Sequence, residues 1–122
     1  MLALVLIIGA VLPAVPALAR DPKLKVVTTV APHADLIREI AGDRVDLVQL
    51  IPDGTDSHTF EPRPSDAAVL HSADLIVLNG LHLETPTQRM ADANKMPATP
   101  YLVLGDSTIS PTDYLFDFSF PE

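Results

Sequence analysis

Four residues, Leu75-Ile76-Val77-Leu78, constrain the fold more than any other stretch, because they contain no polar side chain at all. So short an apolar run reads as a strand covered on both faces, and such strands belong to parallel sheets flanked by helices. Asn79-Gly80 ends the run, and with no second strand just after it a hairpin is not expected. The neighbouring stretches repeat the theme. Leu24 to Val30 is rich in β-branched residues and reads as a first strand. Val45 to Ile51 is a second, diluted by Asp46 and Gln49 as an edge strand would be, and Tyr101 to Leu104 a short fourth.

Helical signals fill the gaps. Pro32 suits a first helical turn, Leu36, Ile37, Ile40 and Ala41 form an apolar stripe, and Gly42 fits the residue just past the helix end. Ser65 is expected to cap a short helix through Ser72 that packs Ala68, Val69 and Ala73. Thr85-Pro86 caps and begins a third helix to about Asn94. Strands alternating with helices at this spacing give an α/β fold: one lobe of about four parallel strands. Ligands of such sheets sit in the crevice at the strands' carboxyl ends, so the residues after each strand are the ones to inspect.

One of those segments stands out. Ile51 to Asp66 reads IPDGTDSHTFEPRPSD, with His58 in a turn-rich loop beside Asp53, Asp56 and Glu61. Gly54 permits a left-handed turn, while Pro52, Pro62 and Pro64 stiffen the flanks. A loop so restrained presents its donor atoms at little ordering cost, and zinc and manganese sites use nitrogen and oxygen donors of this kind. One histidine is not a metal site, however, and taken alone the loop reads rather as a solvated turn with a capping histidine.

Composition removes several classes. The net charge of −8 disfavours nucleic acid and anionic membrane surfaces as partners. No GxGxxG or GxxxxGK[ST] follows any strand, so a nucleotide has no support. The absence of cysteine excludes disulfides, thiolate zinc sites, thiol nucleophiles and a lipid-modified cysteine within this sequence. Residues Leu2 to Ala19 carry no charge and end in Ala17-Leu18-Ala19, a cleavage-like pattern, and Pro13 and Pro16 interrupt a spanning helix. The reading is a signal peptide over 1–19, although no Lys or Arg precedes its apolar core, and a periplasmic address.

The run DSHTFEPRPSD resembles the first-ligand motif of the substrate-binding proteins of zinc and manganese ABC importers, the TroA-like or cluster A-I receptors. Asp56, His58, Phe60, Pro62, Pro64 and Asp66 fill its pattern of Asp-x-His-x-aromatic-x-Pro followed by Pro and Asp. AGDRVDLVQLIP before it and SADLIVLNGLHLE after it continue the likeness over Lys25 to about Glu84. The resemblance implies a two-lobed receptor that captures a divalent metal ion, zinc or manganese, as cargo for an ABC transporter permease. It implies four ligands drawn from both lobes, of which this sequence holds His58 alone. Residues 20–106 would then be the N-terminal α/β lobe and 107–122 an irregular tail leading to a second lobe beyond Glu122, so the chain is expected to be an incomplete receptor.

The other candidates are weighed individually. Glu61, His33 and His82 are candidates to orient or support the site: Glu61 beside the ligand, His33 after the first strand, His82 after the third. The plain alternatives are loop solvation for Glu61, a polar helix-start residue for His33 and a packing residue for His82. Asp53 and Asp56 could also orient the His58 ring, with loop solvation for Asp53 and an Asx contact for Asp56 as the plain alternatives. His71 is expected to be solvated and Asp66 to serve the first turn of its helix. A secreted metal-dependent hydrolase with His58 as ligand and Glu61 as base is the rival, but no HExxH or nucleophile elbow accompanies them. A surface adhesin is a third reading with no specific feature behind it. No catalytic residue is assigned.

Overall fold

The computed structural model describes residues 22–110 and 112–113. The signal-peptide reading and most of the tail, Tyr114 to Glu122, therefore lie outside the described residues. The elements run β1 (Leu24–Thr28), α1 (Ala31–Ala41), β2 (Val45–Gln49), α2 (Pro64–His71), β3 (Leu75–Leu78), α3 (Thr85–Asn94), β4 (Tyr101–Val103) and α4 (Leu104–Thr108). A 3₁₀ turn, Gly42–Arg44, follows α1. Strands and helices alternate as the sequence predicts.

All four strands are parallel, in the order β2-β1-β3-β4. Val26 pairs with Leu47 on one side and Leu75 on the other, and Leu78 pairs with Val103. The diluted second strand is indeed an edge. Chain direction reverses across the sheet after β2, because β3 lies on the far side of β1. Right-handed crossovers then place α1 on one face and α2 with α3 on the other. The carboxyl ends of β1 and β3 flank the point where the order reverses, the usual crevice of an open α/β sheet.

Period-two alternation divides the sheet's side chains between the faces. Val27, Ile76 and Leu78 join Leu70 of α2 and Ala91 of α3 in the main core, all of them fully buried. Val26 and Val77 point to the other face. Burying a side chain such as Leu70 contributes about 1.5–3 kcal/mol, so this face anchors the lobe.

Three helices place proline in the first turn, where a missing N–H costs nothing: Pro32, Pro64 and Pro86. Gly42 ends α1 at φ 57° and donates its N–H to the Arg38 carbonyl, as its position predicts.

Other expectations need correction. Only half of the α1 stripe is covered: Ile37 and Ala41 are half-buried, Leu36 and Ile40 are 51% and 67% exposed, and the fully buried residue is Ala34. The apolar arc is wider than the surface that α1 packs against β2, so its outer half stays exposed. Ser65 is not the cap of α2. The helix begins at Pro64, and the Asp66 carboxylate accepts the Arg63 N–H at 2.8 Å, the first-turn role expected of Asp66. Leu70 rather than Ala68 anchors that helix, since Ala68 is exposed. The fourth strand stops at Val103, and α4 follows with no linker. Among the described residues no helix is long and apolar enough to cross a membrane.

Candidate functional site

The loop from Leu50 to Arg63 leaves the carboxyl end of β2 and carries His58. Its start is knitted to β1: Leu50 N–H donates to the Thr28 carbonyl at 2.9 Å and Ile51 N–H to the Thr29 carbonyl at 3.0 Å. Ile51 is 2% exposed, so the loop grows out of the core. Thr55 N–H then closes a turn on the Pro52 carbonyl at 3.1 Å, with Gly54 at φ 75° inside it. Only a residue without Cβ takes that left-handed conformation at no cost.

Asp56 shapes the next turn. Its Oδ1 accepts the His58 N–H at 2.9 Å, an Asx contact that orients the histidine's backbone. The His58 side chain is exposed. Asp53 is also exposed and accepts Gln49 Nε2 at 2.8 Å, which ties the loop back to its own strand. Glu61 is exposed, and its side chain takes no hydrogen bond among the described residues. A cleft of about 170 Å³ opens between the ends of β1 and β2, lined by Val30, Pro32, Ile51, Pro52 and Ser57 among others. His58 follows directly on this lining.

The remaining histidines scatter. His33 lies in the first turn of α1 with its Nδ1 buried and without a hydrogen-bond partner. Burial lowers its pKa below the ordinary 6.5, an effect that nearby Glu84 partly opposes. His82 is exposed in a left-handed turn, Leu81 at φ 52° and His82 at φ 61°, so it packs against no core. The exposed His71 ring is not simply solvated: its Nδ1 lies 3.2 Å from the Asn94 carbonyl, linking α2 to the end of α3.

No three histidine or carboxylate side chains gather closely enough to hold a metal ion among the described residues. What the loop offers a metal is therefore one accessible imidazole on a braced turn, with water or outside donors filling the other positions.

Sequence reasoning missed Glu84. The residue is 1% exposed at the mouth of β3, and its Oε1 accepts both Thr29 Oγ1 at 2.9 Å and the Asn79 N–H at 2.6 Å. Its Oε2 is buried without a partner. The available signal was its place six residues beyond an all-apolar strand, at the crevice end of the sheet.

Comparison with known proteins gives a consistent set of likenesses. The sequence profile of ZnuA, the periplasmic component A of a zinc-uptake complex, matches residues 26–114. The manganese ABC transporter substrate-binding lipoprotein PsaA of Streptococcus pneumoniae is 42% identical over 89 residues, 69% of this chain and 29% of that protein. The iron ABC transporter substrate-binding lipoprotein MtsA of Streptococcus pyogenes serotype M1 is 38% identical over 93 residues, 72% of this chain and 30% of that protein. Among solved structures, the periplasmic zinc-binding protein TroA of Treponema pallidum superposes with a TM-score of 0.68 at 34% identity, over 80% of this chain and 34% of TroA. The manganese-bound periplasmic metal-binding protein of Candidatus Liberibacter asiaticus gives a TM-score of 0.64 at 31% identity, over 71% of this chain and 32% of that one. The chain thus spans about a third or less of each of these proteins.

Proposed function

From a chain that belongs to the ZnuA family of periplasmic metal-uptake components, we propose a receptor lobe that captures a divalent transition metal for an ABC importer. His58 supplies its ligand nitrogen. The carrying observation is the exposed His58 on a loop anchored at Ile51 and braced by Asp56, at the crevice edge of a sheet whose relatives are named for manganese, iron and zinc. The family is one of transport receptors rather than enzymes. The rival hydrolase reading gains no support, since Glu61 is exposed and no three-ligand cluster accompanies it among the described residues.

The cargo is a divalent transition metal of the zinc and manganese class, since imidazole nitrogen favours such ions over magnesium and calcium. The relatives' names as ABC transporter substrate-binding proteins support delivery to a membrane permease, and export through residues 1–19 would place the lobe in the periplasm. Donors from outside the described residues complete the shell in the working receptor. This lobe alone is expected to hold metal at about millimolar strength, equivalent to about 4 kcal/mol.

Equilibrium dialysis of the chain against zinc, manganese and magnesium tests the reading. Retention of zinc or manganese well above magnesium is expected. Equal retention of all three ions would mean that the acidic surface merely condenses cations, and the receptor assignment would fall.

A further inference from the structure

We propose that Glu84 is a positioning residue for the metal-binding loop, acting through the Thr29 hydroxyl on the strand end from which that loop hangs. The inference rests on the reading of His58 as a metal ligand and asks what holds its loop in place.

Glu84 precedes α3, far in sequence from His58, yet a short chain of hydrogen bonds joins them. Its Oε1 accepts Thr29 Oγ1 at 2.9 Å, and the Thr29 carbonyl accepts the Ile51 N–H at 3.0 Å. Ile51 opens the loop. The same Oε1 accepts the Asn79 N–H at 2.6 Å, so one oxygen clasps the carboxyl ends of β1 and β3 at the point where strand order reverses. Thr29 and Glu84 are 0% and 1% exposed, so water does not compete for these bonds.

Thr28 adds a second lace, its Oγ1 donating to the Val77 carbonyl at 3.0 Å, but that bond ties strand to strand inside the sheet. The Thr29–Glu84 bond instead lies one residue past the last paired residue of β1, where the Thr29 carbonyl keeps a single backbone bond, that from the Ile51 N–H. Without it, the side-chain anchor of Thr29 is lost, and the carbonyl that receives Ile51 is held by that one bond and by packing. Both bonds at Oε1 need an oxygen acceptor, which the amide oxygen of glutamine supplies. Its NH2 takes the place of the buried, unpartnered Oε2, a cost that falls on folding stability rather than on the clasp.

This assigns different fates to four variants. Glu84→Gln keeps the acceptor and should bind zinc as the parent does, and Thr29→Ser keeps the hydroxyl with the same result. Glu84→Ala and the isosteric Thr29→Val each remove the clasp and should weaken zinc binding at His58 by about threefold to tenfold, the equivalent of one hydrogen bond. Their double variant should lose no more than either alone.

The experiment is a zinc titration of the full chain followed by NMR at the His58 ring, with the folded fraction of each variant set by its own denaturant curve. A purely stabilising role would lower the melting temperature and leave the dissociation constant of the folded fraction unchanged. Parent-like constants in folded Glu84→Ala and Thr29→Val would therefore overturn the proposal, as would additive losses in the double variant. A parent chain whose His58 ignores zinc would instead bring down the receptor reading, and this proposal with it.

Discussion

Two glycines offer a controlled comparison, because they share a backbone conformation and differ in their surroundings. Gly54 lies at φ 75° and Gly80 at φ 78°, so alanine at either position meets the same left-handed penalty of about 1–2 kcal/mol. Each substitution also restricts the unfolded chain, which returns about 0.4–1 kcal/mol. These terms cancel between the two sites. At Gly54 a Cβ meets nothing within 4 Å. At Gly80 it falls inside the contact distance of Val103 Cγ1 and 3.1 Å from Asp106 Oδ1. Valine is stiff at χ1 and cannot swing aside, so an overpacking cost of about 1–3 kcal/mol is added. Gly54→Ala should therefore destabilise by about 0.5–1 kcal/mol and Gly80→Ala by about 2–4 kcal/mol. Urea unfolding followed by far-ultraviolet circular dichroism measures both, provided the m-values agree with the parent's. Equal losses at the two sites would refute the packing of β4 and α4 against the turn at Gly80.

Three further outcomes are expected. Asp66→Ala removes the acceptor for the Arg63 N–H and should cost about 1 kcal/mol in the same unfolding assay, so an unchanged midpoint would remove the cap from the account. Asp56→Ala should speed amide exchange at His58 by about threefold to tenfold, read by hydrogen–deuterium exchange, because one hydrogen bond protects that N–H. His33 sets a pH dependence. Its folded pKa lies below 6.5, so the unfolded chain binds the proton more readily and stability falls as pH drops through and below 6.5. His33→Gln should flatten that decline between pH 6.5 and pH 5 relative to the parent, and parallel curves would show that the imidazole is not held neutral by burial.

The elements were legible where pattern and packing coincide. Leu75–Leu78 is a buried central strand as its unbroken apolar run requires, and α3 starts at Thr85 and ends at Asn94 as expected. Failures arose where the outcome depends on neighbours distant in the chain. Leu36 and Ile40 have helical spacing, but the fully buried side of α1 carries the small Ala34, and those two side chains stay exposed. Helix α4 is too short to show a period and follows β4 directly. Its Gly105 is dictated by the turn after β3, since a Cβ there would come 2.7 Å from the Asn79 carbonyl oxygen.

The site divides in the same way. The His58 loop announces itself through local chemistry: a turn glycine, flanking prolines and an Asx contact are all encoded between Pro52 and Pro64. Glu84 does not, because glutamate is ordinarily exposed and its burial follows from Thr29, which lies 55 positions earlier. His82 shows the converse: its place after an apolar run pointed inward, and the left-handed Leu81-His82 turn carries it outward.

The most direct test of the receptor account is calorimetric titration of zinc into the parent chain, His58→Ala and His71→Ala under identical conditions. Both histidines are exposed and both substitutions remove an imidazole, so nonspecific attraction to an acidic protein affects them alike. The account predicts that His58→Ala abolishes the binding heat, while His71→Ala, whose ring only reaches the Asn94 carbonyl, titrates like the parent. Equal losses in the two variants, or binding that survives in His58→Ala, would contradict it.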